Sequence, residues 1–149
     1  MSDQSAITEA LTRVLGNSYV LYVKTHSYHW NVTGRNFHAL HNLFEEQYRE
    51  IWTSLDDIAE RIRALDAEAP TSARMMAEAA TIEESDNAVP SSQVMLQNLV
   101  ADQDKWLKDA EVAIDEASEA GDTGTEDLLS ALIAAHEKMR WMLKSSIDS

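Results

Sequence analysis

The chain has 149 residues, enough for one domain with a substantial core. It contains no cysteine, which excludes disulfides and thiolate metal sites. Its formal charge of −14 repels phosphate backbones and anionic membrane surfaces and attracts cations.

Residues Ala6 to about Val32 read as a first long helix. Ile7, Leu11, Val14, Leu15 and Leu21 form its apolar stripe, with Gly16 as the one weak point. Asn31 and Gly34 mark a turn. Phe37 to about Leu65 reads as a second long helix, free of Gly and Pro through Arg63. Pro70 and Pro90 bracket a short helical piece, about Ser72 to Ala80, in a connection too long for a simple turn. Ser91 or Ser92 can cap a third long helix running to Ala120, with Val94, Leu99, Trp106, Leu107, Ala110 and Ile114 on its apolar side. Gly121 ends it. After a turn over Asp122 to Gly124, Thr125 can cap a fourth long helix, with Glu126 and Asp127 in its first turn and Leu129, Leu132, Met139 and Leu143 on its inner side. Met75, Met76, Met139 and Met142 read as gap-filling core residues, and His136, among apolar neighbours, as structural. Four long helices without strand signals predict an all-α four-helix bundle, one domain over residues 1–149, with a short extra helix between the second and third long helices. No apolar run is long enough to span a membrane, and the start MSDQSAITEA lacks the features of a signal peptide, so the expected location is the cytoplasm.

The stretch from His26 to Arg63 carries the chemistry. It holds four of the five histidines. On the second helix His41 and Glu45 are one i,i+4 pair and Asp56 and Glu60 another, and all four project into one sector. Imidazole with carboxylate in one patch suits Fe, Mn or Zn. The two pairs cannot share a metal within one chain, because the fifteen residues from His41 to Asp56 span about 22 Å of helix. An antiparallel copy of the same helix, about a two-fold axis near Glu50 and Ile51, completes both half-sites at once. Tyr48 and Trp52, between the half-sites on the same face, then belong to a self-complementary dimer interface. His29 can join His41 if the turn folds back. The resulting set of His29, His41, Glu45, Asp56 and Glu60 is rich in oxygen and nitrogen and favours iron. A di-iron centre inside one bundle needs Glu-x-x-His motifs, and no histidine here has Glu three residues before it.

The strings HWNVTGRNFHALH and LDDIAER resemble the Dps family, the miniferritins named as DNA-binding proteins from starved cells. The resemblance covers nearly the whole chain. It implies a ferritin-like bundle, assembly into a hollow dodecamer, and a ferroxidase site between subunits. His29, His41, Asp56 and Glu60 stand at the family's ligand positions. Glu45 stands where the family often has Asp. Trp30, beside His29, would lie near the iron and quench oxidising equivalents. Asp122 and Asp127, in GDTGTEDLL, match acidic residues that line iron-entry pores. Asp66 and Ala67 replace glycines that many members carry after the second helix. The implied activity is oxidation of Fe(II), with hydrogen peroxide preferred over O2, and storage of ferric oxide inside the shell, which limits oxidative damage.

Two other readings stand beside it. The first is a nucleoid-associated DNA-binding shell with incidental zinc or manganese. Against it, Met1 to Thr12 carry no Lys or Arg and the end LKSSIDS offers one lysine, so a basic tail for DNA is missing. The second is a zinc- or manganese-regulated shell without useful ferroxidase activity. His26 and His38, each three residues before a ligand candidate, are extra ligands in that case and supporting or surface groups otherwise.

Overall fold

Apolar residues at helical spacing close the chain into four long helices and one short one: α1 (Ser2–Asn31), α2 (Phe37–Ala64), α3 (Ala73–Ala79), α4 (Ser92–Ala120) and α5 (Thr123–Ser145). The computed structural model describes residues 2–148, and no strand occurs among them. α1 packs against α2, α4 and α3; α4 pairs with α5. Leu11, Leu15, Phe44, Ile58, Leu96, Trp106 and Leu129 are fully buried where these helices meet. Each is worth roughly 1.5–3 kcal/mol relative to exposure. No helix among the described residues is long and apolar enough to cross a membrane.

The starts of α3, α4 and α5 follow side-chain caps. Ser72 Oγ accepts from the Met75 amide at 3.1 Å, and Ser91 Oγ from the Val94 amide at 3.3 Å, which places the start of α4 at Ser92. Two expectations are corrected. α5 is capped by Asp122 rather than Thr125, because the Asp122 carboxylate accepts from the Thr125 amide at 3.1 Å. Val94 and Met75, expected inside, stand 40% and 45% exposed. Gly121 ends α4 at φ 72, and Asp66 (φ 67) takes the left-handed position after α2. A short polar side chain tolerates that conformation better than most.

Gly16 is not a weak point but a contact. A Cβ there would lie 2.5 Å from Met76 O on α3. The missing side chain lets α3 lie directly on α1. Beside it the buried Asn17 pins the crossover: its Oδ1 accepts from the Thr81 and Ile82 amides at 2.8 and 3.1 Å, and its Nδ2 donates to Asp109 at 2.8 Å. Lys24 adds an ion pair to Asp102 at 2.6 Å and a bond to Glu83 O at 2.9 Å. Gly16→Ala must push α3 away and is expected to cost about 1–3 kcal/mol, read from thermal or denaturant unfolding.

His136 lies in the core, as expected. Its ring stacks on Trp106 at 3.4 Å and 8°, and its Nδ1 meets Gln103 Oε1 at 2.7 Å. Burial lowers its pKa to about 3. The unfolded chain takes up this proton near pH 6.5; the folded chain resists until about 3. Stability from this group is therefore complete above the unfolded value and falls with pH through that window, by about 1.4 kcal/mol per unit. His136→Gln should flatten the loss of stability on acidification, measured as the unfolding midpoint against pH.

Candidate metal centre

α1 ends at Asn31, and Gly34 (φ 110) turns the chain so that α2 starts three residues later, at Phe37. The turn brings the last helical turn of α1 against the second turn of α2. His29 and His41 meet there, with rings stacked at 3.8 Å and 16°. Their hydrogen bonds are reciprocal. His29 Nδ1 donates to His41 O at 2.7 Å, and His41 Nδ1 donates to His29 O at 2.7 Å. A carbonyl can only accept, so both Nδ1 atoms carry the proton. In the neutral rings both Nε2 lone pairs are then left for a metal.

Glu45, one turn further along α2, completes a triad whose ligand atoms all lie within 4.8 Å of one another. Its Oε1 is 4.0 Å from His29 Nε2. Its Oε2 accepts from Arg49 Nε at 2.9 Å. The Arg49 hydrogen bond holds the Glu45 carboxyl below its ordinary range, so Glu45 is a ready anion. Two imidazole nitrogens and one carboxylate oxygen are a suitable but incomplete donor set for Fe(II). The other two expected ligands are not brought to it. Asp56 and Glu60 sit exposed further down α2, separated from His41 by about the 22 Å that the helical rise requires.

The flanking aromatic residues sort differently from expectation. Trp52 stays 58% exposed, but Tyr48 is buried within the subunit. It stacks on His26 at 3.9 Å and 17°. His26 therefore leans on an aromatic shell, its Nδ1 3.2 Å from the Tyr22 hydroxyl, and is no member of the triad. Burial, then the charges of His29 and Arg49, lowers its pKa. Trp30 is exposed and lies 4.2 Å from His26. His38 is exposed on the outer side of α2. Arg49, Tyr22 and Phe37, which stacks on His41 at 5.1 Å, were not singled out in the sequence. The i,i+4 spacings of Glu45 to Arg49 and Tyr22 to His26 are the signals that mark the first two.

A profile for ferritin-like domains matches residues 8–149. The DNA protection during starvation protein of Brevibacillus brevis is 36% identical over 147 residues, which cover 99% of this chain and 98% of that protein. The chain belongs to the Dps family. Among solved structures, a Dps protein from Bacillus brevis superposes with TM-score 0.94 at 36% identity, covering 99% of each chain. The Dps protein of Vibrio cholerae O1, described as a member of a broad superfamily of ferritin-like diiron-carboxylate proteins, superposes with TM-score 0.92 at 33% identity, covering 99% of this chain and 92% of that one.

The two acidic residues matched to the family's pore segment have different surroundings. Asp122 is engaged within the chain. Its Oδ1 accepts from Arg61 Nη2 at 2.7 Å, its Oδ2 accepts from the Thr125 hydroxyl at 2.5 Å, and Arg61 Nε donates to Thr125 Oγ1 at 2.9 Å. Partial burial alone would raise the Asp122 carboxyl, but the Thr125 hydrogen bonds and the Arg61 cation outweigh it and hold it low. Asp127 is exposed, without a hydrogen-bond partner among the described residues. Asp122→Ala is expected to cost about 1–2 kcal/mol through the lost cap. Asp127→Ala should leave unfolding unchanged within about 0.5 kcal/mol. Paired thermal melts check both.

Proposed function

We propose that the protein is a ferroxidase and iron-storage miniferritin whose site is shared between two copies of the chain. The observation that carries this reading is the incomplete triad. His29, His41 and Glu45 converge with their metal-facing atoms prepared, while the carboxylates of Asp56 and Glu60 stand exposed on the same helix, too far away to join them. A two-fold partner with α2 antiparallel supplies the missing oxygens to both sites at once. The exposed Trp52 between the half-sites is suited to the centre of that contact.

Fe(II) is the substrate. The two imidazoles orient it through Nε2, and the carboxylates of Glu45, Asp56 and Glu60 stabilise the charge it gains on oxidation. With hydrogen peroxide as oxidant, two Fe(II) each give one electron, the O–O bond breaks, and two protons complete two waters. Spending both electrons at one site avoids hydroxyl radical. The ferric product passes to an acidic cavity in a dodecameric shell, which Fe(II) enters by pores carrying Asp127 and Asp122. The same site geometry admits zinc as a competitor. The charge of −14 opposes contact with DNA, so protection of DNA would come from removing iron and peroxide. The reading places the protein in the cytoplasm.

Complementation tests the shared site. The double variants His29→Ala/His41→Ala and Asp56→Ala/Glu60→Ala should each lose Fe(II) oxidation and tight Co(II) binding when assembled alone. Co-expressed, they form mixed dimers in which one site has every ligand. Recovery of a fraction of the activity is the expected result. Continued inactivity in verified mixed shells would mean that each site lies within one subunit.

A further inference from the structure

Behind the iron ligands lies an aromatic cluster that the ferroxidase reading does not use. The His26 ring lies flat on Tyr48, 3.9 Å away, and stands 5.5 Å from the Tyr22 ring. Tyr48 meets His29 edge-on at 5.3 Å, and Tyr22 lies 6.1 Å from Tyr48. Rings this close pass single electrons in short steps, and this set leads from the half-buried Tyr22 through the buried Tyr48 to His29.

The surroundings of the two tyrosines differ. A phenol loses an electron readily only when its proton leaves with it, because the phenol radical cation is strongly acidic. The Tyr22 hydroxyl has an imidazole nitrogen, His26 Nδ1, at 3.2 Å to take that proton. The Tyr48 hydroxyl has no hydrogen-bond partner among the described residues. The Arg49 guanidinium also stands over the Tyr48 ring at 5.3 Å, a fixed cation that disfavours an electron hole there.

We infer that Tyr22 is a one-electron donor to the iron site, with His26 receiving its proton and Tyr48 bridging to His29. The inference rests on the ferroxidase reading and concerns a case that the reading leaves open: peroxide meeting a site that holds a single Fe(II). The iron supplies one electron. Tyr22 supplies the second, its proton moves to His26, and two solvent protons complete the reduction. Fe(II), Tyr–OH, neutral His26, hydrogen peroxide and two protons become Fe(III), the Tyr22 phenoxyl radical, protonated His26 and two waters. The O–O bond is broken without release of hydroxyl radical. A later Fe(II) returns an electron to Tyr22, and His26 returns the proton.

The test uses the assembled full-length protein without oxygen, loaded with one Fe(II) per site, mixed with hydrogen peroxide and freeze-quenched for electron paramagnetic resonance. Wild type is expected to give a tyrosyl radical. Tyr22→Phe, which keeps the ring, should lose that signal and release several-fold more trapped hydroxyl radical. His26→Gln, which removes the base, should lose most of the signal as well. A tyrosyl signal that persists in Tyr22→Phe, or a radical that disappears only in Trp30→Phe, overturns the inference. Loading two Fe(II) per site separates the two claims. If wild type does not oxidise this iron with peroxide, the ferroxidase reading fails. If it does, while Tyr22→Phe matches wild type at one Fe(II) per site, the donor role alone fails.

Discussion

Two hydrogen bonds running in opposite directions between His29 and His41 join the fold to the chemistry. Each imidazole donates to the other residue's backbone carbonyl. The His29 carbonyl lies in the last turn of α1, where acceptors have no amide of their own helix to pair with. The His41 carbonyl, inside α2, can offer its second lone pair. The pair thus closes the α1–α2 hairpin with groups that the helices leave available. The same bonds place a proton on both Nδ1 atoms and leave both Nε2 atoms to a metal. Replacing either side chain would leave the other residue's backbone carbonyl without its imidazole donor and the remaining ring without its stacked neighbour, so each is both a ligand candidate and a support of the hairpin.

α2 extends this logic along its length. It is a 28-residue helix without Gly or Pro, and therefore a fixed ruler between the pair His41 and Glu45 and the proposed second pair, Asp56 and Glu60. Its far end shows how one residue step divides labour. Glu60 points to solvent, while Arg61, turned by about 100°, reaches inward to Asp122 and Thr125 at the start of α5. Gly124 leaves room for it, since a Cβ there would lie 2.9 Å from the guanidinium. The carboxylates are thus mounted on a helix that is tied down beside them. Precision of this kind is what the proposed sharing of the site between two copies would require, because each half would have to arrive with the correct spacing.

The long helices were legible in the sequence because periodicity, serine caps and glycine stops are local signals. The short α3 was legible from its flanking prolines. Sequence reasoning failed where a distant partner decides. Gly16 read as a weakness because its contact, α3, lies sixty residues away. Thr125 was an acceptable cap locally, but Asp122, also tied to Arg61, wins. Tyr48 lay on the correct face for an interface, yet His26 and Tyr22 from α1 cover it. For the centre, the i,i+4 spacing and the turn at Gly34 sufficed to bring His29, His41 and Glu45 together. That arrangement within the triad, with its tautomers, was not legible. It depends on backbone carbonyls, which every residue has and no sequence pattern marks.

Glu45 illustrates how a substitution within a family pattern can be absorbed by its neighbour. Its arm is one methylene longer than that of the aspartate that the resemblance leads one to expect at this position, which would leave the carboxylate less defined. Arg49 takes up the extra reach by holding Oε2 at 2.9 Å, while Oε1 remains 4.0 Å from His29 Nε2. The helix turn between them makes the contact intrinsic to α2, independent of any partner. An arriving cation then meets one committed oxygen and one free oxygen. It need not displace Arg49 to gain a ligand. The arginine also offsets part of the negative charge of Glu45, at the cost of some attraction for a metal.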